Sequence, residues 1–197
     1  MSDRRNEILL VAKQLFADRG VHATTVREIG GQAGILSGSL YHHFASKHDM
    51  VDAILGPWCA EIMRRYESII GSGADAVTRL TEMTHYAFSL IAEDAAGLVM
   101  FYNEGPRLAS QERFTYLAHF DRRLEEQWAG VLADGVNEGS LRADIDPVLF
   151  YRVVRDTVAG AARWYRPSKS LTLQQMADAF VDLVLHGLVV RDGAGGR

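Results

Sequence analysis

Helix-start signals are crowded into Thr25–Met50, a stretch with room only for short helices joined by tight turns. Thr25-Val-Arg-Glu28 has capping-box spacing: the hydroxyl can take an orphan N–H while Glu28 reaches back. The helix it opens sets Val26, Ile29 and Ala33 on one face, and Gly34 supplies the permissive backbone of an inter-helix turn. Ser37 is then the expected cap of a second short helix, 38–43, whose Leu40 and Phe44 stand four apart and pack inward. Gly38, Ser39 and His42 are left facing outward, small and polar enough to meet base edges in a major groove. Tyr41 can reach the backbone with its hydroxyl. Ser46, with Asp49 three residues on, opens the next helix, and Lys47 in its first turn is placed as a phosphate anchor. The plainer reading of each piece is a capped helix in an ordinary all-α domain.

The ordered set, T-x-x-x-I-x-x-x-A-G and then L-Y-x-x-F-x-S-K, resembles the DNA-binding domain of TetR-family transcriptional regulators. The resemblance implies that Leu40 and Phe44 are core, that Tyr41 and Lys47 hold phosphates, and that the residues around Ser37–Ser39 and His42 read sequence. With Thr25 and Arg27 from the preceding helix, the candidate DNA contacts are Thr25, Arg27, Ser37, Gly38, Ser39, Tyr41, His42 and Lys47. It also implies an all-α fold of about nine helices. A helix-turn-helix head (1–50, motif about 25–44) precedes an effector-binding and dimerisation body (51–190) and a flexible tail (191–197).

Composition agrees with such a chain. Its 197 residues are 48% hydrophobic, enough for a real core, with no apolar run of membrane-spanning length. The charged opening MSDRRNEILL is unlike an export signal, and one cysteine, Cys59, suits a reducing cytoplasm as a buried hydrophobe. Net charge is −4, but residues 1–50 hold six basic against five acidic side chains and four of the seven histidines, while 51–197 hold fifteen against twenty. A polycationic coat is excluded, so DNA affinity must rest on a few placed contacts.

Further helices are expected at 3–19, from Lys47 to about Ile70 with a kink at Gly56-Pro57, at 74–93, and through Met100–Tyr102 to Gly105-Pro106. Three more follow: 114–136 with Leu117, Phe120, Leu124, Trp128 and Leu132 inward, one opened by Asp146-Pro147, and one capped by Thr172. The last two carry small and apolar residues on more than one side, which reads as half of a four-helix homodimer interface through Val158, Ala161, Phe180, Val184, Leu185 and Leu188. A hairpin wholly internal to one chain is the alternative.

A separate helical body implies, by the family resemblance, an effector pocket. Trp58, Tyr66, Phe101, Tyr102, Trp128, Arg155, Arg163, Trp164 and Arg166 are its candidate lining, with Tyr86 among the aromatics considered. Two guanidiniums beside two rings in Arg163-Trp-Tyr-Arg166 suit a flat apolar ligand bearing an anion. Alternatively, the arginines pair with acids or cap helix carbonyls. GILSGSLYHHFASK, with RDT and RWYRP, further resembles actinobacterial TetR-type repressors of sterol-ring (cholesterol) degradation, which implies a CoA-thioester effector.

No nucleophile elbow, phosphate loop or dinucleotide fingerprint is present, and His42, His43 and His48 lack metal-ligand spacing, so neither an enzyme, a cofactor nor a metal is expected. The expected function is a cytoplasmic, ligand-released repressor on a palindromic double-stranded operator. A helical carrier or enzyme with a scaffold-only N-terminal region, and an architectural DNA binder without effector, are the alternatives.

Overall fold

A computed structural model describes residues 3–166 and 171–188, all helix, turn and loop apart from an isolated bridge residue at Leu141. Helix α1 (Asp3–Arg19) closes at Gly20, whose φ of 85° only glycine adopts without strain. In α2 (Val26–Gln32) the capping box is complete: Thr25 Oγ1 accepts from Glu28 N–H at 3.2 Å, and the Glu28 carboxylate accepts from Thr25 N–H at 2.8 Å. The Thr25 N–H first, and then the Thr25 hydroxyl, which also donates to the carboxylate at 2.8 Å, hold the Glu28 carboxyl below its ordinary range. Gly34 (φ 66°) makes the turn, and Ile35 N–H returns to Gly30 O at 2.9 Å. A Cβ at Gly30 would stand 3.0 Å from Ile35 O, so glycine there permits the close approach.

Helix α3 (Ser37–Leu40) differs from the expectation in two ways. Its cap position is Leu36, with no side-chain cap, and Ser37 is already helical. The expected 38–43 helix becomes a single turn continued by three-residue turns, His42 N–H to Ser39 O and His43 N–H to Leu40 O. The Gly34 turn ties the chain back to α2 through Ile35, leaving Leu36 extended (ψ 141°), so the helix begins one residue early.

Helix α4 (Lys47–Ile70) starts with Ser46 Oγ accepting from Asp49 N–H at 3.1 Å and runs on through Pro57. Helix α5 (Ala76–Leu108) contains a break at Asp94 (φ −157°, ψ 64°). Asp94 Oδ1 accepts from Gly97 N–H at 2.9 Å, capping the second half, so the two helices expected here are separate helices that meet at a kink. A 3₁₀ turn, Glu112–Phe114, leads into α6 (Thr115–Asn137), whose five expected inward residues are all buried. Helix α7 (Pro147–Trp164) is capped by Asp146, which accepts from Val148 and Leu149 N–H, with proline at the first position. Helix α8 (Leu173–Leu188) opens on a reciprocal Thr172–Gln175 box. The expected glycine-rich tail and Val189–Val190 lie outside the described residues.

Contacts group the chain into two compact units, one from Met1–Ile62 with Asp94–Phe120, the other from Met63–Glu93 with Asp121–Arg197; α4, α5 and α6 contribute to both. The first unit is centred on Ile8, Phe16, Ile29, Leu40 and Phe44, with Leu98 and Phe114 from its later segment. The second is centred on Leu80, Met83, Phe88, Trp128, Phe150 and Val154. Cys59 is buried, which pushes its thiol up to about 12 and leaves it unreactive.

One expectation about α7 is overturned. Val158 and Ala161, assigned to a dimer interface, are only 2% and 1% exposed within the single chain. Small residues let backbones approach, but here the approach is internal. The outward apolar stripe of α7 is instead Leu149, Val153 and Trp164, at helical spacing on the opposite face, and Leu183 on α8 is exposed as well. Phe180, Val184 and Leu185 are half-buried, and the side chain of Leu188 lies outside the described residues.

Candidate nucleic-acid interface and effector residues

Around α2 and α3 the residues divide cleanly by what their side chains already hold. Leu40 and Phe44 are in the core, and the Arg5 guanidinium lies 4.5 Å from the centre of the Phe44 ring. Arg4 donates to Ala33 O at 2.5 Å, closing the end of α2. Gly38, Tyr41 and His42 are exposed and Ser37 and Ser39 half-exposed. Among the described residues the side chains of Ser37, Ser39, Tyr41 and His42 make no hydrogen bond or ion pair, so their donors and acceptors face water. Arg27 is exposed and equally unengaged, a free guanidinium beside them. Thr25 is exposed, but its hydroxyl is engaged with Glu28.

Lys47 does something other than expected. Its ammonium donates to three backbone carbonyls, Thr24 at 2.7 Å, Val21 at 2.8 Å and His22 at 3.3 Å. An ammonium has three protons, and all are engaged. Lys47 therefore ties the α1–α2 loop to the start of α4, and the assignment of its side chain to a phosphate is corrected to this structural role.

Two residues were invisible to sequence reasoning. Leu36, ahead of α3, is 80% exposed. Arg113, on the 3₁₀ turn, donates to both Asp49 and Asp52 in the first turns of α4, and Tyr116 O–H reaches Asp52 at 3.3 Å. The guanidinium, helped by Ser46, holds the Asp49 carboxyl below its usual range. Neither partner is near Arg113 in the sequence, so no local signal exists for it.

The nine effector candidates are divided between the two units. Within the first unit Trp58 lies 5.4 Å from Phe101 and 6.0 Å from Phe120, ring to ring, with Tyr102 against Phe101. Within the second, Tyr66 packs edge-on to Tyr86 and Trp128, and Trp128 meets Phe150. Arg155 pairs with Asp156 at 3.0 Å and Asp121 at 3.5 Å, and Arg166 caps the end of α7 through the carbonyls of Arg163 and Tyr165. Trp164 is 60% exposed and Arg163 is exposed beside it. In the single chain the arginine–aromatic run is a helix end at the surface.

Trp58 stands apart in one respect. Its indole N–H is buried and has no hydrogen-bond partner, and a Cβ at Gly97 would come within 2.7 Å of it. An unpaired buried donor is costly, and it asks for an acceptor. The second unit also has a groove of about 360 Å³ lined by Glu67, Ile70, Gly71, Gln127, Gly130, Val131 and Asp134. Its polar side chains are carboxylates and an amide, the wrong sign for a phosphate-rich ligand. Among the described residues no group of three or more His, Cys, Asp or Glu can hold a metal ion, and no helix is long and apolar enough to cross a membrane.

Comparison with known proteins matches both parts of the chain. Residues 8–54 fit the model of bacterial regulatory proteins of the tetR family, and 73–188 fit the tetracyclin repressor-like C-terminal domain. The HTH-type transcriptional repressor KstR2 of Rhodococcus jostii is 44% identical over 187 residues, 95% of this chain and 92% of that protein. The solved structure of the ketosteroid transcriptional regulator KstR2 of Mycobacterium tuberculosis superposes with a TM-score of 0.91 at 42% identity, covering 97% of each chain. AibR, solved with isovaleryl coenzyme A and operator DNA, shares the fold at 22% identity and a TM-score of 0.80 over 92% of this chain and 97% of its own. An exposed α3 held by a capped α2, a second unit built on helices among its described residues, and family matches over 8–54 and 73–188 agree: this chain belongs to the tetR family of bacterial regulatory proteins.

Proposed function

We propose that the chain is a cytoplasmic, sequence-specific transcriptional repressor that binds DNA as a homodimer and releases it when a small-molecule effector binds. The observation that carries this is the α3 surface: Ser37, Gly38, Ser39, Tyr41 and His42 face water with side chains unengaged, while Leu40 and Phe44 fix the helix from behind. A backbone fixed from behind that presents unbonded side chains is what direct readout in a major groove requires. Arg27 and Tyr41 contact phosphates, and Ser37, Ser39 and His42 read bases.

Two copies pair through Leu149, Val153 and Trp164 of α7 and Leu183 of α8, an exposed apolar face that a second copy would cover. Twofold pairing calls for a palindromic operator, with half-sites about 34 Å apart or a multiple of it. The relatives named KstR2, one of them a ketosteroid transcriptional regulator, support ketosteroid metabolism as the regulated process; a steroid-derived CoA thioester as the effector class is our inference from the resemblance of the sequence to repressors of sterol-ring degradation.

Its fused-ring part suits the Trp58–Phe101–Phe120 cluster, where the unpaired indole N–H can donate to a ring ketone or thioester carbonyl. Arg163 and Trp164, at the face a partner would cover, are the second place a CoA chain could meet cation and ring together. Arg113, bridging to Asp49 and Asp52, fixes the start of α4 behind α3, so a shift of α4 moves the reading surface. Weakening DNA binding a hundredfold takes about 2.7 kcal/mol of coupling, and by linkage DNA must weaken the effector equally.

The test is selection of duplexes from a random pool, then gel shifts on the winner with and without steroid-derived CoA thioesters. One enriched palindrome, released by such a ligand and less readily after Trp58→Phe, supports the proposal. No enriched sequence, together with tight ligand binding, would instead favour a helical carrier.

A further inference from the structure

Leu36 plays no part in the packing of the chain. At 80% exposure it is the most exposed large hydrophobic side chain among the described residues. A single exposed leucine is ordinary by itself; its place is what matters here. It directly precedes α3, and its backbone is pinned, since Leu36 O accepts from Ser39 N–H at 2.9 Å while its own φ and ψ (−66°, 141°) are extended. Beside it are the unengaged hydroxyls of Ser37 and Ser39, and nothing stands within 4 Å of a Cβ built on Gly38. The backbone therefore fixes where the apolar side chain leaves the chain, at the edge of a polar surface with open space next to it.

Polar side chains on such a surface can read the donors and acceptors of base edges. In the major groove only one base presents a hydrocarbon, thymine with its C5-methyl. We infer that Leu36 reads a thymine methyl in each half-site, setting specificity at a position that the hydroxyls and His42 do not read. This rests on the DNA-binding proposal above. Apolar contact removes both methyl and isobutyl surface from water without a hydrogen bond, so its strength is insensitive to salt, unlike that of the phosphate contacts.

The test uses the full chain and a duplex it selects from a random pool. Each thymine is replaced in turn by deoxyuridine, which deletes the methyl alone. The expected result is one position per half-site where uracil weakens wild-type binding about fourfold, or about fifteenfold with both half-sites changed. Leu36→Ala binds thymine and uracil duplexes alike at that position, keeps the wild-type response to every other base change, and melts at the wild-type temperature. Leu36→Met restores part of the discrimination. If Leu36→Ala keeps the full uracil penalty, or wild type shows no such position on a successfully selected duplex, the role of Leu36 is overturned while DNA reading stands. A pool that enriches no sequence overturns both.

Discussion

The chain presents two outward surfaces of opposite character. Around α3 the exposed groups are hydroxyls, an imidazole, a phenol and one leucine, held from behind by Leu40 and Phe44. Along α7 and α8 they are Leu149, Val153, Trp164 and Leu183, with exposures of 48% to 73%. The first exchanges water for the hydrogen bonds of another polar molecule at little net cost, which makes association reversible and tunable. The second gains only by leaving water altogether, at roughly 25 cal/mol per Å², and suits a contact made once and kept. A regulator that must let go of one partner while holding another needs both kinds.

Breaking the apolar surface has the largest expected effect. Leu183→Glu with Val153→Glu places charges in the pairing face, so light scattering should give the mass of one chain. Operator affinity should fall at least a hundredfold, because one copy reaches a single half-site. Val158→Ala serves as the contrast: it opens a cavity costing about 0.5–2 kcal/mol in thermal melts and leaves the dimer mass unchanged.

Next comes the polar surface. His42→Ala should relax preference at one base position, with the best duplex weakened about tenfold and mismatched ones less. Lys47→Met separates the two functions of the region. With three carbonyls left unpaired, stability should drop by about 1–3 kcal/mol, whereas the slope of affinity against salt stays unchanged. Arg27→Ala should show the reverse, an intact melt with the salt slope reduced by about 1 per half-site.

Much of this was legible in the sequence because it is local. The Thr25–Glu28 and Ser46–Asp49 caps, the Asp146-Pro147 start and the Thr172 cap each involve residues within three positions of one another. Leu40 and Phe44 followed from helical spacing. What failed was whatever depends on a distant partner. The carbonyls that take up Lys47 lie before α2, and the acids that bind Arg113 lie two helices away. Asp121, which pairs with Arg155, belongs to α6. Helix α7 failed for another reason: both of its faces are apolar, and periodicity cannot say which one the chain keeps for itself. Leu36 was overlooked because a leucine beside Ile35 reads as core until its exposure is known.

The smallest effect is a matter of pH. Asp49 and Glu28 are held below their ordinary values by Arg113 and by Thr25 respectively. Depressed carboxyls contribute stability that is present above their unfolded pKa and is lost as pH falls through the folded value. Melting temperature should therefore hold from neutrality to about pH 5 and decline below about pH 4. Asp49→Asn should flatten part of that decline.

Methylation interference on a selected duplex tests the central claim most directly, since methyl groups on guanine N7 block the major groove alone. Two clusters of interference, related by twofold symmetry and centred about 10 base pairs apart or a multiple of it, with one position lost in His42→Ala, are expected. A single cluster, or a pattern that His42→Ala leaves untouched, would contradict paired α3 helices reading a common duplex.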